Sequence, residues 1–181
     1  MINRPPGDDA DLIIETRWPT AYDEDKLKST AAHHRAQQAI ATHDVAPHLD
    51  AAHTETVQNM AGRLATKARN TMAKHVKANA DNVDRHDVCA TEIEALADAV
   101  RTAKTRIIGA VDTFTAMWAD APEVARRNNW HQLQYNDYRT RLINDGRDTV
   151  THALSELAAT HQSSRKTIHT ALHNTGPGHR S

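Results

Sequence analysis

From Leu27 onward, apolar and small side chains return in steps of four and three: Leu27, Ala31, His34, Gln38, Ala41, Val45, Leu49, Ala52. That spacing keeps one face of an α-helix apolar. Three acids, Asp23, Glu24 and Asp25, stand just ahead of the stripe, where free N–H groups and the helix dipole favour negative charge. Pro47 falls nearly opposite the stripe and predicts a kink or a restart, with the helical pattern carrying on to about Gln58. Asn59 and Gly62 then tolerate the left-handed backbone that ends helices. The pattern resumes at once through Leu64, Ala68, Met72, Val76 and Ala80. A short connection of this kind joins antiparallel neighbours, so Met60, Ala61 and Gly62 are the expected turn of a helical hairpin.

The run NADNVDRHD (79–87) has the weakest apolar pattern and is either a break or an exposed stretch of a longer helix. After it comes the clearest seam in the chain: Cys89, Ile93, Leu96, Val100, Ala103, Ile107, Ala110, Phe114 and Met117. Its alternating steps are those of a heptad, and these residues are expected to be mostly buried, within the chain or at an oligomer interface. WADAPEV then predicts a helix stop, with Asp120 capping a new helix and Pro122 in its first turn. Val150, Leu154, Leu157, His161, Ser164, Ile168 and Ala171 repeat the heptad steps, with an interruption expected at INDGRD (143–148). No alternation of strand period survives anywhere.

These readings predict an all-α fold, an elongated antiparallel bundle of three to five helices with a helical hairpin at its centre. Four stretches follow from the pattern: an extended arm over 1–21, a hairpin or bundle domain over 22–119, a C-terminal helical segment packing on it over 120–173, and a disordered tail over 174–181. The arm holds Pro5, Pro6 and Pro19, yet Leu12, Ile13, Ile14 and Trp18 could bring part of it back onto a helix.

Composition sharpens this picture. The 181 residues suit one moderate domain or an extended bundle, and 30 alanines with only 4% aromatics favour helices packed closely through small side chains. Lys and Arg number 22 against 23 Asp and Glu, so the chain exerts no general pull on nucleic acid or anionic membrane. One cysteine, Cys89, excludes an intrachain disulfide framework. No apolar run approaches the ~20 residues that span a bilayer, and the N-terminus has no Sec-type apolar core. The expected location is the cytoplasm, or outside the cell by a route that needs no such leader.

Candidate chemistry is sparse. Among thirteen histidines, His169 and His173 are four apart on a helix and His33 and His34 are adjacent, but no HExxH and no Cys/His set occurs. His34 and His161 lie on apolar stripes, which suits hydrogen-bonded core or interface roles. No metal site, cofactor or small-molecule substrate is expected. Cys89 opens a seam, the position of a small hydrophobe. There is no phosphate-binding glycine loop and no nucleophile elbow, and no enzyme activity is expected. ARRNNWHQLQYNDYRTRL (125–142) mixes Arg126, Arg127, Arg139 and Arg141 with Trp130, Tyr135 and Tyr138. Such a mixture can bind single-stranded nucleic acid, or pack its rings inward with the arginines solvated; the balanced charge favours the second.

RWPTAYDEDKLKSTAAHHRAQQ followed by a helix, and then QNMAGRLATKARNTMAKHV, resembles the WXG superfamily of type VII secretion substrates, above all the helical N-terminal domains of actinobacterial exported proteins and polymorphic toxins. The resemblance covers roughly residues 17–118. It implies a Trp-Pro and acidic opening before an alanine-rich helix, and a turn in which Met60-Ala61-Gly62 takes the place of Trp-x-Gly. The family's export signal also places an acid four residues after a Tyr. Here Tyr22, Tyr135 and Tyr138 are followed at that distance by Lys26, Arg139 and Leu142. The expectation is a non-enzymatic protein that pairs helix to helix with a helical partner or a second copy. The alternative is an intracellular coiled-coil scaffold or adaptor with no export role, and a third reading is a histidine-assisted metal or nucleic-acid binder.

Overall fold

The computed structural model describes residues 1–59 and 61–173. Along them run α1 (Asp8–Ile14), α2 (Glu24–Ala39), a π-helical segment (Ile40–Val45), α3 (Ala46–Asn59), α4 (Gly62–Arg127) and α5 (Gln132–His173), with no strand among the described residues. The fold is an all-α helical bundle. Met60 and the stretch 174–181, for which a turn and a disordered tail were expected, lie outside the described residues.

Local chemistry sets the helix ends. Asp23 Oδ1 accepts the Asp25 N–H at 3.0 Å and caps α2. Pro47 does not end the helix. It has no N–H to give, and the preceding turn widens so that the Ala46 N–H reaches the carbonyl of Ala41. Ala39 and Ala46, on either side of the π-helical segment, both keep right-handed helical backbone.

Two expected interruptions are absent, and the 79–87 run takes the helical one of its two readings. The 79–87 run stays helical: Lys77 bonds Asp81 across one turn at 2.9 Å, and Asn79 Nδ2 donates to the Ala41 carbonyl at 2.9 Å. The helix also continues past Pro122, so the boundary expected at 119/120 is not a helix end. Ala121 beside it is fully buried, and that packing holds the stretch although Pro122 cannot donate to the carbonyl four residues back. The true end of α4 is a Schellman turn. Asn129 takes φ +53°, its N–H bonds the Arg126 carbonyl at 3.4 Å, and the Trp130 N–H bonds the Ala125 carbonyl at 2.9 Å. In α5, Gly146 lies inside an unbroken helix, because Ile13 occupies the space where its side chain would be. A Cβ there would come 2.7 Å from Ile13 Cδ1.

The chain divides into two compact units. Unit 1 comprises Met1–Asp25 and Ala95–Ser163; unit 2 comprises Lys26–Glu94 and the chain from Ser164. They replace the divisions expected at 21/22 and 119/120.

In unit 1 the N-terminal stretch is not an extended arm. It contains α1, whose Ala10, Ile13 and Ile14 are fully buried. Thr115 of α4 donates to Asp9 at 2.8 Å, while Arg147 of α5 bonds the Leu12 carbonyl at 3.0 Å and pairs with Glu15 at 2.7 Å. Arg17 reaches Thr151 at 2.9 Å. Phe114, Ile107, Val100, Val111, Leu142, Val150 and Leu157 complete the apolar core. Beside it, Lys104 and Glu24 form a buried ion pair at 2.6 Å. Lys104 also bonds the Tyr22 carbonyl at 3.0 Å and stands 5.9 Å from the Trp18 ring centroid. Burial alone would raise the Glu24 carboxyl, but the Lys104 hydrogen bond, the backbone N–H groups of Glu24 and Ile2 and the Lys104 charge outweigh it. They hold the group at about 2 against an ordinary 4.5.

Candidate interaction surface

Unit 2 is built around a helical hairpin. The Arg69 guanidinium bonds the Val57 carbonyl at 2.9 Å, Asn79 bonds Ala41, and His34 Nδ1 stands 2.9 Å from His86 Nδ1. Ala41 and Asn79, and His34 and His86, are equally far in sequence from position 60, and the long Arg69 side chain reaches back to Val57, so α2 and α3 run antiparallel to the first half of α4. Gly62 begins α4 with φ +84°, a conformation that suits glycine. Ala61 and Gly62 are both exposed.

Polar side chains do much of the joining. Arg35 donates to Thr91 at 3.0 Å, pairs with Glu94 at 3.2 Å and with Asp87, and Gln38 donates to Asp87 at 3.2 Å. The apolar yield is small. Among the described residues of unit 2, the buried apolar ones are Ala31, Ala41, Ala65, Cys89 and Ala90. Larger side chains face outward: Ile40, Val45, Val57 and Leu64 are all exposed, Leu64 at 79%. A groove of about 290 Å³ runs between α3 and α4, floored by Ala46, Leu49, Val76, Ala80 and Val83, with Asp50 and Asp84 at its rim.

The expected seam divides between the units. Cys89 is buried and Ile93 half-buried in unit 2. In unit 1, Val100, Ala103, Ile107, Ala110 and Phe114 are buried, Leu96 is half-buried, and Met117 is 42% exposed. Met117 instead lines a second groove, of about 410 Å³, with Gly109 and Phe114 of α4 and Leu142 and Gly146 of α5. Burial raises the Cys89 thiol above its ordinary value, which fits a small hydrophobe.

The aromatic and arginine-rich segment of unit 1 packs its rings on one another. Trp118 meets Tyr135 at 4.9 Å and Trp130 meets Tyr138 at 5.1 Å between centroids, with the Arg139 guanidinium 5.4 Å from the Trp118 ring centroid. These four rings are half-buried. Arg126 and Arg127 both bind Glu123 at 2.8 Å, which offsets part of the local positive charge.

His161 makes an edge contact with Tyr22 at 5.6 Å, and the His169 and His173 rings lie 4.2 Å apart. Among the described residues no group of three or more His, Cys, Asp or Glu side chains could hold a metal ion, and no helix is long and apolar enough to cross a membrane. Three features escaped the sequence reading: the burial of Glu24 with Lys104, the seating of Ile13 on Gly146, and the pairing of His34 with His86. The last could have been found by folding the stripe about the turn expected at Met60–Gly62. The other two depend on where α1 and the first residue of α2 dock, which periodicity does not encode. No family model, curated protein or solved structure matches this chain.

Proposed function

We propose that the chain is a non-enzymatic helical interaction protein that acts by helix-to-helix pairing, of the kind represented by type VII secretion substrates. Unit 2 is the pairing part. The observation that supports this reading is that, among the described residues, its hairpin buries only alanines and Cys89 of its apolar side chains, while Ile40, Val45, Val57 and Leu64 face outward. Burying apolar surface contributes about 25 cal/mol per Å², and alanine has little to give. A further helix laid on this part, from a partner chain or a second copy, would bury large side chains that the hairpin leaves exposed.

The test is hydrogen exchange on the full chain, alone over a concentration series and with chains copurified from its native host. Pairing through unit 2 slows exchange across residues 40–64. A chain that stays monomeric at every concentration and retains no partner, or whose partner protects only residues 95–163, contradicts the assignment. The alternative scaffold role uses the same surface. It is favoured by Met60 at the expected Trp position and by the lack of an acid four residues after any Tyr. Export from the native host, lost when its secretion ATPase is deleted, decides between the two.

A further inference from the structure

In unit 2 two imidazoles meet across the hairpin, His34 from α2 and His86 from α4, with Nδ1 to Nδ1 at 2.9 Å and ring centroids 5.2 Å apart. A neutral imidazole nitrogen either carries a proton and donates or carries a lone pair and accepts. Two lone pairs at this distance repel, and so do two N–H groups. The contact is attractive when one nitrogen carries a proton and the other a lone pair, whether the pair is neutral or shares one positive charge. A metal ion would also draw on further ligands, and no group of three metal-binding side chains occurs among the described residues. A proton needs only the two nitrogens present.

The surroundings limit the pair to one positive charge. His33 lies next to His34 on α2, its ring centroid 6.2 Å away. Arg35, also on α2, brings a permanent charge. On α4, Asp87, next in sequence to His86, and Glu94 both pair with Arg35. A second proton on the pair would therefore create two imidazolium rings in contact, with neighbouring acids already committed.

We propose that His34 and His86 form a proton-operated clasp, which holds α2 against α4 while the pair carries at most one positive charge and opens when both rings are protonated. Burial first, then the charges of His86 and His33, push His34 below its ordinary 6.5. The folded hairpin thus binds fewer protons at this ring than the unfolded chain does. Its contribution to stability is complete above about 6.5 and is lost as pH falls through the lowered folded value. The clasp requires no partner and stands independently of the pairing role.

The experiment compares hydrogen exchange of the chelator-treated full chain at about pH 7.5 and about pH 5, corrected for intrinsic rates, alongside NMR titration of the histidine rings. Protection across 26–45 and 70–94 is expected to fall on the order of tenfold at the lower pH, with residues 95–163 little changed. His86→Phe, which keeps a ring and removes the titration, should abolish most of that difference, whereas His33→Gln should preserve it. The ring titrations test the clasp even if His86→Phe fails to fold: His34 must titrate below a free histidine. Equal pH dependence in wild type and His86→Phe overturns the proposal, as does a His34 that titrates normally. Added zinc or copper that raises protection at the higher pH, reversibly with chelator, also overturns it by making the pair a metal chelate.

Discussion

Phe114, Ile107 and Val100 are no more than 2% exposed in unit 1, whereas the buried apolar side chains of unit 2 are alanines and one cysteine. Both units are made of the same long helices with the same four-three spacing. Periodicity therefore fixes which face turns inward, and side-chain volume fixes how much that burial contributes. The same contrast holds for charge. Unit 1 closes on Lys104 and Glu24, at 3% and 1% exposure, while unit 2 is joined by Arg35, Asp87 and Glu94, each more than a third exposed. A fold that buries large apolar side chains in one unit and small ones in the other should open unevenly, since buried apolar area sets how much each unit gains from folding.

The largest expected effect tests the charged pairs. Lys104→Met removes the buried partner of the Glu24 carboxylate and leaves it only the Ile2 N–H and the exposed Met1 ammonium at 3.8 Å, which should cost about 3–5 kcal/mol. Arg35→Ala removes links that water already screens and should cost at most about 1 kcal/mol. Urea unfolding monitored at sites in each unit measures both. Equal losses would erase the contrast. The pair also sets an acid limit for unit 1. The folded pKa of Glu24 is lowered, so its stabilisation is complete above the ordinary 4.5 and is lost as pH falls toward about 2. Glu24→Gln should flatten that part of the stability profile.

Apolar truncation comes next. Ile107→Ala empties a site that is fully buried and should cost about 2–5 kcal/mol. Ile40→Ala, at a side chain 45% exposed, should stay within about 0.5 kcal/mol in the isolated chain. It should nonetheless weaken partner binding or self-association if unit 2 pairs as proposed. A large loss of stability from Ile40→Ala in the monomer would mean that the hairpin has a core of its own.

How much of this was legible follows from the same contrast. Val100, Ala103, Ile107, Ala110 and Phe114 could be placed from spacing alone, because a heptad step is a property of one helix. The hairpin register was also accessible from the chemistry around Gly62. The breaks expected at Pro122 and Asp145-Gly146 were drawn from residue type, and tertiary packing overrode both. The arm was legible in part. Its prolines and acids argued for extended chain, while the apolar Ile13 and Ile14 argued for a return onto a helix and are buried; which groove they enter, no local pattern shows. Asn129 was a readable stop signal, since asparagine tolerates the left-handed backbone found there, and the Pro at 122 drew attention away from it.

The smallest effects use the glycines to sharpen the comparison, since packing governs one of them and backbone another. Gly109 in unit 1 has helical backbone and open space where a Cβ would go, so Gly109→Ala should gain up to about 1 kcal/mol from helix propensity alone. Gly62 in unit 2 also has open space, but its φ of +84° strains any side chain, and Gly62→Ala should cost about 1–2 kcal/mol. At Gly146 the helix propensity gain is opposed by Ile13, whose Cδ1 and Cγ2 would stand 2.7 and 3.2 Å from the new Cβ. Ile13 is fully buried and has little room to yield, so overpacking of about 1–3 kcal/mol should exceed the gain. Ile13→Val removes the nearer atom. Alone it should cost about 0.5–1.5 kcal/mol, and beside Gly146→Ala it should cost less or even stabilise. Thermal melts of the two single variants and the double variant give that coupling directly. Additive effects would mean that α1 can shift to admit the extra methyl, and unit 1 would then be less tightly packed than its buried side chains imply.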